Sequence, residues 1–495
     1  MKHPLLLLVL LAAHLQATNY TVKASGGGAF ATIQACASTA SAGDTCTIFA
    51  GTYNETVTPA HSGSAGNPIT FTANTGDRVT VNNFGLEGRS YIILSYLTFT
   101  ATNTGDGGTS SNIVTHCHST ATLFRINDNL GSNGSDNVFS YNVIDLSGHA
   151  DNAMGFYVYG DRNRFEYNEI KNGEGDCHDL GGTNLVVRGE YCHDINGASG
   201  EHIDFVQEQG GGTVPVMSFS LFEDNVMQHC YNDGGNCHFI IIRTGGAPAA
   251  DTNIVRYNYE QNADGSGAVF GGVGDNVPNS SFYNNTIATE AITLDGGDCA
   301  SDQNAPNLYS VNNICYNVEA NGLYPVGGVY MNGNLAYTTG YVGNWDSPYS
   351  SEATYIALAN KNPLFANYPT DGTLQSASPA IGAGVALTTT VGSGTTSTSL
   401  VLNNAHLFQP GWAGTNGDCI RVGASTTTCI TGVDYSNNTL TISPAISWSI
   451  GAPVYLYKNS SGTVRLFGAT PDVGAFPYQG SGAILPPTGL SAIAH

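Results

Sequence analysis

Asn137-Val-Phe-Ser-Tyr-Asn142-Val-Ile is echoed by Asn163-Arg-Phe-Glu-Tyr-Asn168-Glu-Ile, by Asn253-Ile-Val-Arg-Tyr-Asn258-Tyr and by Ser281-Phe-Tyr-Asn-Asn285-Thr-Ile. Degenerate copies read Asn184-Leu-Val-Val-Arg-Gly189, Phe219-Ser-Leu-Phe-Glu-Asp-Asn225-Val and Leu308-Tyr-Ser-Val-Asn-Asn313-Ile. With Asn142, Asn168, Gly189, Asn225, Asn258, Asn285 and Asn313 in one register, the steps are 26, 21, 36, 33, 27 and 28 residues. A recurring period of this size signals a repeat architecture. Each phrase alternates apolar and polar residues, as a short strand does, and lacks the i, i+3, i+4 spacing of a helix. It ends on Asn, which tolerates the left-handed backbone region and can bond neighbouring backbone. Stacked coil on coil, these asparagines are expected to form a ladder near one corner of a parallel β-solenoid, as scaffold rather than site.

The rest of the chain fits a turn-rich all-β protein: 62 of 495 residues are Gly and only 11% are charged. Solenoids escape the usual size limit because each coil packs only on its neighbours. Residues 1–17 read as a signal peptide, with Lys2 and His3 ahead of the apolar run Leu5 to Ala13 and a small-residue end at Ala17. Export is therefore expected. Removing Lys2 leaves 14 basic against 38 acidic residues, a net charge of −24. That balance excludes nucleic acid and anionic membranes as partners, and disfavours polyanionic glycans unless a cation or a local basic patch intervenes. Eleven cysteines in an exported chain should mostly pair. Proximity suggests Cys36–Cys46, Cys177–Cys192, Cys230–Cys237, Cys299–Cys315 and Cys419–Cys429, with Cys117 left over.

Both ends of the solenoid have their own signals. Phe30, Ile33 and Ala37 mark one face of a short helix that would plug the open core. Gly43-Asp44 and Gly51-Thr-Tyr53-x-Glu55 follow, with Asp44 and Glu55 read as turn and cap residues. At the other end come Lys361-Asn-Pro-Leu-Phe365, Asp371-Gly-Thr-Leu374 and Ser378-Pro-Ala-Ile-Gly-Ala-Gly384, and then, after an interruption, Pro471-Asp-Val-Gly-Ala-Phe476. With the Asn phrase, these end motifs make the chain resemble the secreted right-handed parallel β-helix proteins, the pectate-lyase-like superfamily. The resemblance implies an all-β, right-handed β-helix over 18–384 with a return at 471–480. Residues 385–470 are expected to form an inserted small antiparallel β domain, a separate unit, and 481–495 a linker-like tail. Trp412, Trp448 and Tyr455 are read as the insert's core, with carbohydrate binding as the alternative.

The family likeness also implies a secreted, carbohydrate-active protein, expected as a monomer. Enzymes of this fold cleave glycans by β-elimination, which needs a base and a cation, or by hydrolysis between two carboxyl groups. Residues 171–246 hold the longest steps and the densest ionisable residues, so the site is expected there. It should centre on His202, Asp204 and Arg243, with His238 as a fourth catalytic candidate. Strand 200–207 would stack on 236–243 with His202 under His238, and Ile203 and Phe205 inward beneath Phe239 and Ile241. Lys171, His178, His193, Asp194, Gln207 and Glu208 are the candidate substrate-binding residues. Glu174, Asp176 and Asp179 could hold Ca²⁺ through hard oxygen ligands. The repeated Cys-His pairs are read as disulfides rather than a soft-metal site. The expected activity is polysaccharide cleavage, elimination ahead of hydrolysis; the alternative is a non-catalytic, adhesin-like glycan binder.

Overall fold

A computed structural model describes residues 17–106, 108–126, 134–148, 153–197, 202–209, 215–232, 236–244, 249–261, 268–270, 276–288, 299, 301–302, 307–317, 330–337, 361–368 and 371–480. The expected signal peptide and tail lie outside these residues. Among the described residues the chain winds through three long sheets of 13, 12 and 8 strands, whose pairings are all parallel. One coil shows the rule. Val138–Ser140 joins the first sheet, Val143–Asp145 the second and Phe156–Tyr159 the third, before Arg164–Glu166 returns to the first. The result is a right-handed parallel β-helix, the hand that parallel crossovers adopt.

The corner between the first and second sheets carries the ladder. Backbone N–H of Asn142 donates to Asn168 Oδ1 at 2.9 Å, Asn225 to Asn258 at 3.0 Å, Asn258 to Asn285 at 3.0 Å and Asn285 to Asn313 at 2.8 Å. Each side-chain amide also donates to a carbonyl of the coil before, as Asn258 does to Phe222 O at 3.0 Å. Two details differ from expectation. The left-handed residue is the one before the ladder position: Tyr141, Tyr167, Asp224, Tyr257 and Asn284 all have φ between 54° and 61°. Gly189 is that residue in its coil, at φ 67°, so the rung itself is Glu190. A side chain at 189 would strike the Tyr167 ring, 2.5 Å from an added Cβ. A second, shorter ladder joins Asn112, Asn137 and Asn163 where the third sheet turns into the first.

Inward residues fill the lumen with a continuous core from Val22 to Cys315. Its aromatic stretch passes from Phe124 through Phe139, Phe156 and Phe165 to His178, Phe205 and Phe239. The short helix Ile33–Thr39 closes one end, and Glu55 accepts hydrogen bonds from the Ile33 and Gln34 amides, as a cap residue should. The five disulfides join the pairs expected from proximity, and Cys117 is free and buried.

The insert forms a six-stranded antiparallel sheet between Thr388 and Lys458. It is no free appendage. Leu387, Leu400, Phe408, Trp412 and their neighbours share one core with Val186, Leu221, Ile254, Tyr257, Tyr283 and Val311, which stand on the outer face of the first sheet. Trp412 is buried in that core and Trp448 packs against it, while Tyr455 is buried under the Arg421 guanidinium. On the same face Glu166, Arg188, Glu223 and Arg256 occupy one position in four successive coils, alternating in charge and buried. Asp418 and Ser460 of the insert complete that row. After the insert the chain rejoins the solenoid: Gly474 N donates to Asn312 O at 2.8 Å and Ala475 N to Thr286 Oγ1 at 3.0 Å.

Candidate functional site

The third sheet carries most of the sequence-predicted residues. Its strands His178–Gly181, His202–Gln209 and Asn236–Arg243 lie side by side. The pairing sets Asp204, not His202, beside His238; His202 stands opposite Asn236, two residues from the expected register. The shift has a packing cause. Phe205 stacks on Phe239 at 4.7 Å, and Val206 and Ile240, the next residue of each strand, are also in the core. The alternation therefore slips by one at these two pairs, which aligns the strands on their rings. Beyond the slip Gln207 lies beside Asp179 and Arg243 is exposed, while Glu208 is fully buried and accepts from Met217 N at 2.6 Å. The His202 side chain lies outside the described residues.

Along the outer face, Arg125, Tyr157, Asp179 and Gln207 occupy one position in four successive coils. Adjacent strands are ~4.8 Å apart, so this column offers one group per coil along a straight line. The Arg125 guanidinium lies over the Tyr157 ring, 5.0 Å from its centroid. Tyr159 packs on Tyr157 and donates its hydroxyl to Asp179 Oδ1 at 3.1 Å. Burial pushes the Asp179 carboxyl up to about 7, against the pull of that hydrogen bond. Asp204 is completely buried; burial raises its carboxyl well above the usual range, Arg243 opposes the rise and Asp179 adds to it. Two acids of one face thus influence each other, with an arginine beside them.

Other candidates lie elsewhere. His178 points into the core, fully buried, and is not available to a substrate. Asp176 accepts from the Asp204 backbone N–H at 2.7 Å, while Asp179 faces Tyr159. Among the described residues no group of three His, Cys, Asp or Glu is arranged to hold a metal ion, so Glu174, Asp176 and Asp179 do not assemble the expected Ca²⁺ ligands. Lys171, His193 and Asp194 sit on the outer face of the second sheet. Glu169 receives Lys171 Nζ at 2.7 Å and His193 Nε2 at 3.2 Å; Asp194 bonds His193 Nδ1 at 2.7 Å and His229 Nδ1 at 3.1 Å. Burial lowers the His193 pKa, but the two carboxylates more than reverse this and hold it raised. The cations of this network are already neutralised within it.

The sequence reading missed Arg125, Tyr157 and Tyr159. Their signal was the strand Phe156-Tyr-Val-Tyr159, whose period-2 pattern puts Tyr157 and Tyr159 on the face opposite Phe156 and Val158.

No known family profile matches the sequence, and no curated protein matches it. Solved structures do. A pectate lyase, Pel9A, is 16% identical over 74% of this chain and 92% of its own, with a TM-score of 0.42. A rhamnogalacturonan lyase is 15% identical over 64% and 87%, at 0.39. A lacto-N-biosidase of family GH136 from Eubacterium ramulus is 11% identical over 65% and 68%, at 0.38. The parallel β-helix itself is defined by the chain's own three parallel sheets.

Proposed function

We propose that this protein is a secreted polysaccharide-cleaving enzyme that lays an extended, uronate-containing glycan along the outer face of the third sheet. The observation that supports this most is the setting of Asp179: an outward carboxyl held near neutrality by burial, in line with Arg125, Tyr157 and Gln207. Cleaving a glycosidic bond leaves an oxygen that must take up a proton, and an acid of pKa near 7 suits that step. Arg125 and Arg243 supply the local basic patch that an anionic glycan needs on so acidic a chain. The Arg243 guanidinium, which acts on the Asp204 carboxyl, would neutralise the uronate carboxylate at the cleaved bond and so acidify the neighbouring C–H, which favours elimination over hydrolysis, while Arg125, four strands along the sheet, would hold a more distant uronate. His238, beside Asp204 in register, is the base in this reading, and the half-buried Tyr157, backed by Tyr159, bears against the sugar rings. The five disulfides suit an oxidising, extracellular setting.

The test is incubation of the purified protein with a panel of uronate-containing and neutral glycans. Ultraviolet absorbance reads unsaturated products, and new reducing ends read any cleavage. Unsaturated ends are expected from a uronate glycan, and Asp179→Asn should abolish them. Reducing ends without absorbance would replace elimination by hydrolysis. Binding with no cleavage at all would leave a glycan-binding solenoid and refute the enzyme.

A further inference from the structure

Every described rung of the ladder from Asn142 to Asn334 is Asn except Glu190. Its carboxyl does two jobs. Oε1 accepts from Asn168 N and Nδ2, both at 2.9 Å, as a ladder asparagine would. Oε2 meets His178 Nε2 at 3.0 Å across the core, and both side chains are fully buried. The other imidazole nitrogen, Nδ1, lies 3.0 Å from Phe205 O; a carbonyl only accepts, so Nδ1 donates. One further proton lies between Nε2 and Glu190.

What His178 touches matters as much. It is the chain neighbour of Asp179. Phe205, whose carbonyl it holds, is the neighbour of Asp204. Phe156, on which it stacks at 5.3 Å, is the neighbour of Tyr157. Three residues of the outer face are thus each one residue from an inward contact of this one imidazole.

We propose that His178 and Glu190 form a cross-core strut, from the ladder corner to the third sheet, that positions Asp179 and Asp204 for the reaction on the outer face. They are positioning residues, and the inference rests on that face being the cleavage site. The geometry explains why this rung is not Asn: a side chain shorter by one methylene keeps the ladder bonds but cannot also reach His178. A 1 Å displacement of a reacting group costs on the order of 100-fold in rate.

Replacing His178 takes the imidazole partner from both Glu190 Oε2 and Phe205 O in the core and opens a cavity among the rings, which invites misfolding, so the test varies Glu190. Glu190→Asn restores the ladder residue and removes the strut. Glu190→Gln keeps the reach, its amide donating to a His178 that carries its proton on Nδ1. On a glycan the wild type cleaves, Glu190→Asn should lower kcat about 100-fold with KM changed less than threefold, and the unpaired His178 Nε2 should lower the melting temperature without unfolding the protein at the assay temperature. Glu190→Gln should stay within about fivefold of wild type. Equal loss in both variants, or full activity in Glu190→Asn, overturns the strut. Hydrogen exchange at the amides of His178–Gly181 decides the point without turnover: it should quicken at least tenfold in Glu190→Asn and not in Glu190→Gln. If the wild type cleaves no glycan, the functional reading fails alone, and unchanged exchange in Glu190→Asn would sink the strut by itself.

Discussion

Arg256→Met should loosen the insert from the solenoid. The Arg256 guanidinium is fully buried and uses all five of its N–H donors. Nε and Nη2 reach Glu223 Oε2 at 2.9 and 2.8 Å, Nη2 and Nη1 reach Asp418 at 2.7 and 2.8 Å, and Nη1 reaches the Tyr283 hydroxyl at 2.8 Å. Methionine keeps most of the stem's packing and deletes every one of these bonds. Two buried carboxylates then lose their main counter-charge, a change that costs about 3–5 kcal/mol. Partners that survive argue for the lower end. Asp418 still accepts from Gln409 N and Nε2 at 3.1 and 3.0 Å, and Glu223 keeps Ser460 and, at 3.6 Å, Arg188. We therefore expect about 3 kcal/mol. Of the three tryptophans Trp412 and Trp448 lie in the insert, so in a Trp345→Phe background urea unfolding followed by tryptophan fluorescence reports on the insert, and far-ultraviolet circular dichroism on the whole chain. The fluorescence transition should move to lower urea ahead of the dichroism. Arg162→Met is the control: its pair with Asp136 is 45% and 44% exposed, so its loss should cost at most about 1 kcal/mol. Two variants of equal stability would refute the claim that the buried row holds the insert. The pH dependence has a definite sign. Burial raises the Glu223 carboxyl, but Arg256 and Arg188 more than reverse this, so its folded pKa is lowered. Its contribution is present above the unfolded value of about 4.3 and is lost as pH falls through the folded one.

Three further outcomes follow from the same contacts. Cleavage should fall as pH rises through about 7, where Asp179 loses its proton; Tyr159→Phe removes the hydrogen bond that opposes the raised pKa and should move that limb upward, and a pH–rate profile unaffected by it would count against Asp179 as the acid. Glu260 stands in a buried column between Met227 and Ile287, and its two oxygens have no hydrogen-bond partner among the described residues. Glu260→Met should stabilise the protein by roughly 1–3 kcal/mol at pH 8. Burial, with Asp204 adding to it, raises that carboxyl, so its penalty is absent below the unfolded pKa, and the gain should shrink toward pH 4; a loss of stability would contradict the orphaned carboxyl. Asn258→Ala strands the Asn225 N–H and the Phe222 carbonyl in the core and should cost about 2–4 kcal/mol in urea midpoint, whereas a cost below 1 kcal/mol would make the ladder ornamental.

Coil-by-coil repetition made the fold legible in the sequence. A side chain in a solenoid meets its own equivalent one coil away, so the Asn phrase states a tertiary contact in one dimension. The disulfides were legible for a related reason: each joins cysteines no more than 16 residues apart. Tertiary structure alone decided the rest. Whether the rung after Tyr167 is Gly189 or Glu190 depends on which residue takes the left-handed position, and the Tyr167 ring lying against residue 189 settles it. Where the third sheet changes parity depends on ring stacking between Phe205 and Phe239, and that single slip sends Glu208 inward and Gln207 outward. The insert's partners lie 162 residues away at Arg256 and 237 at Glu223, beyond any local pattern. Most of all, His178 and Asp179 are adjacent in sequence and look alike as candidates, yet strand alternation sends one into the lumen and the other to the surface, because only the imidazole finds buried partners there.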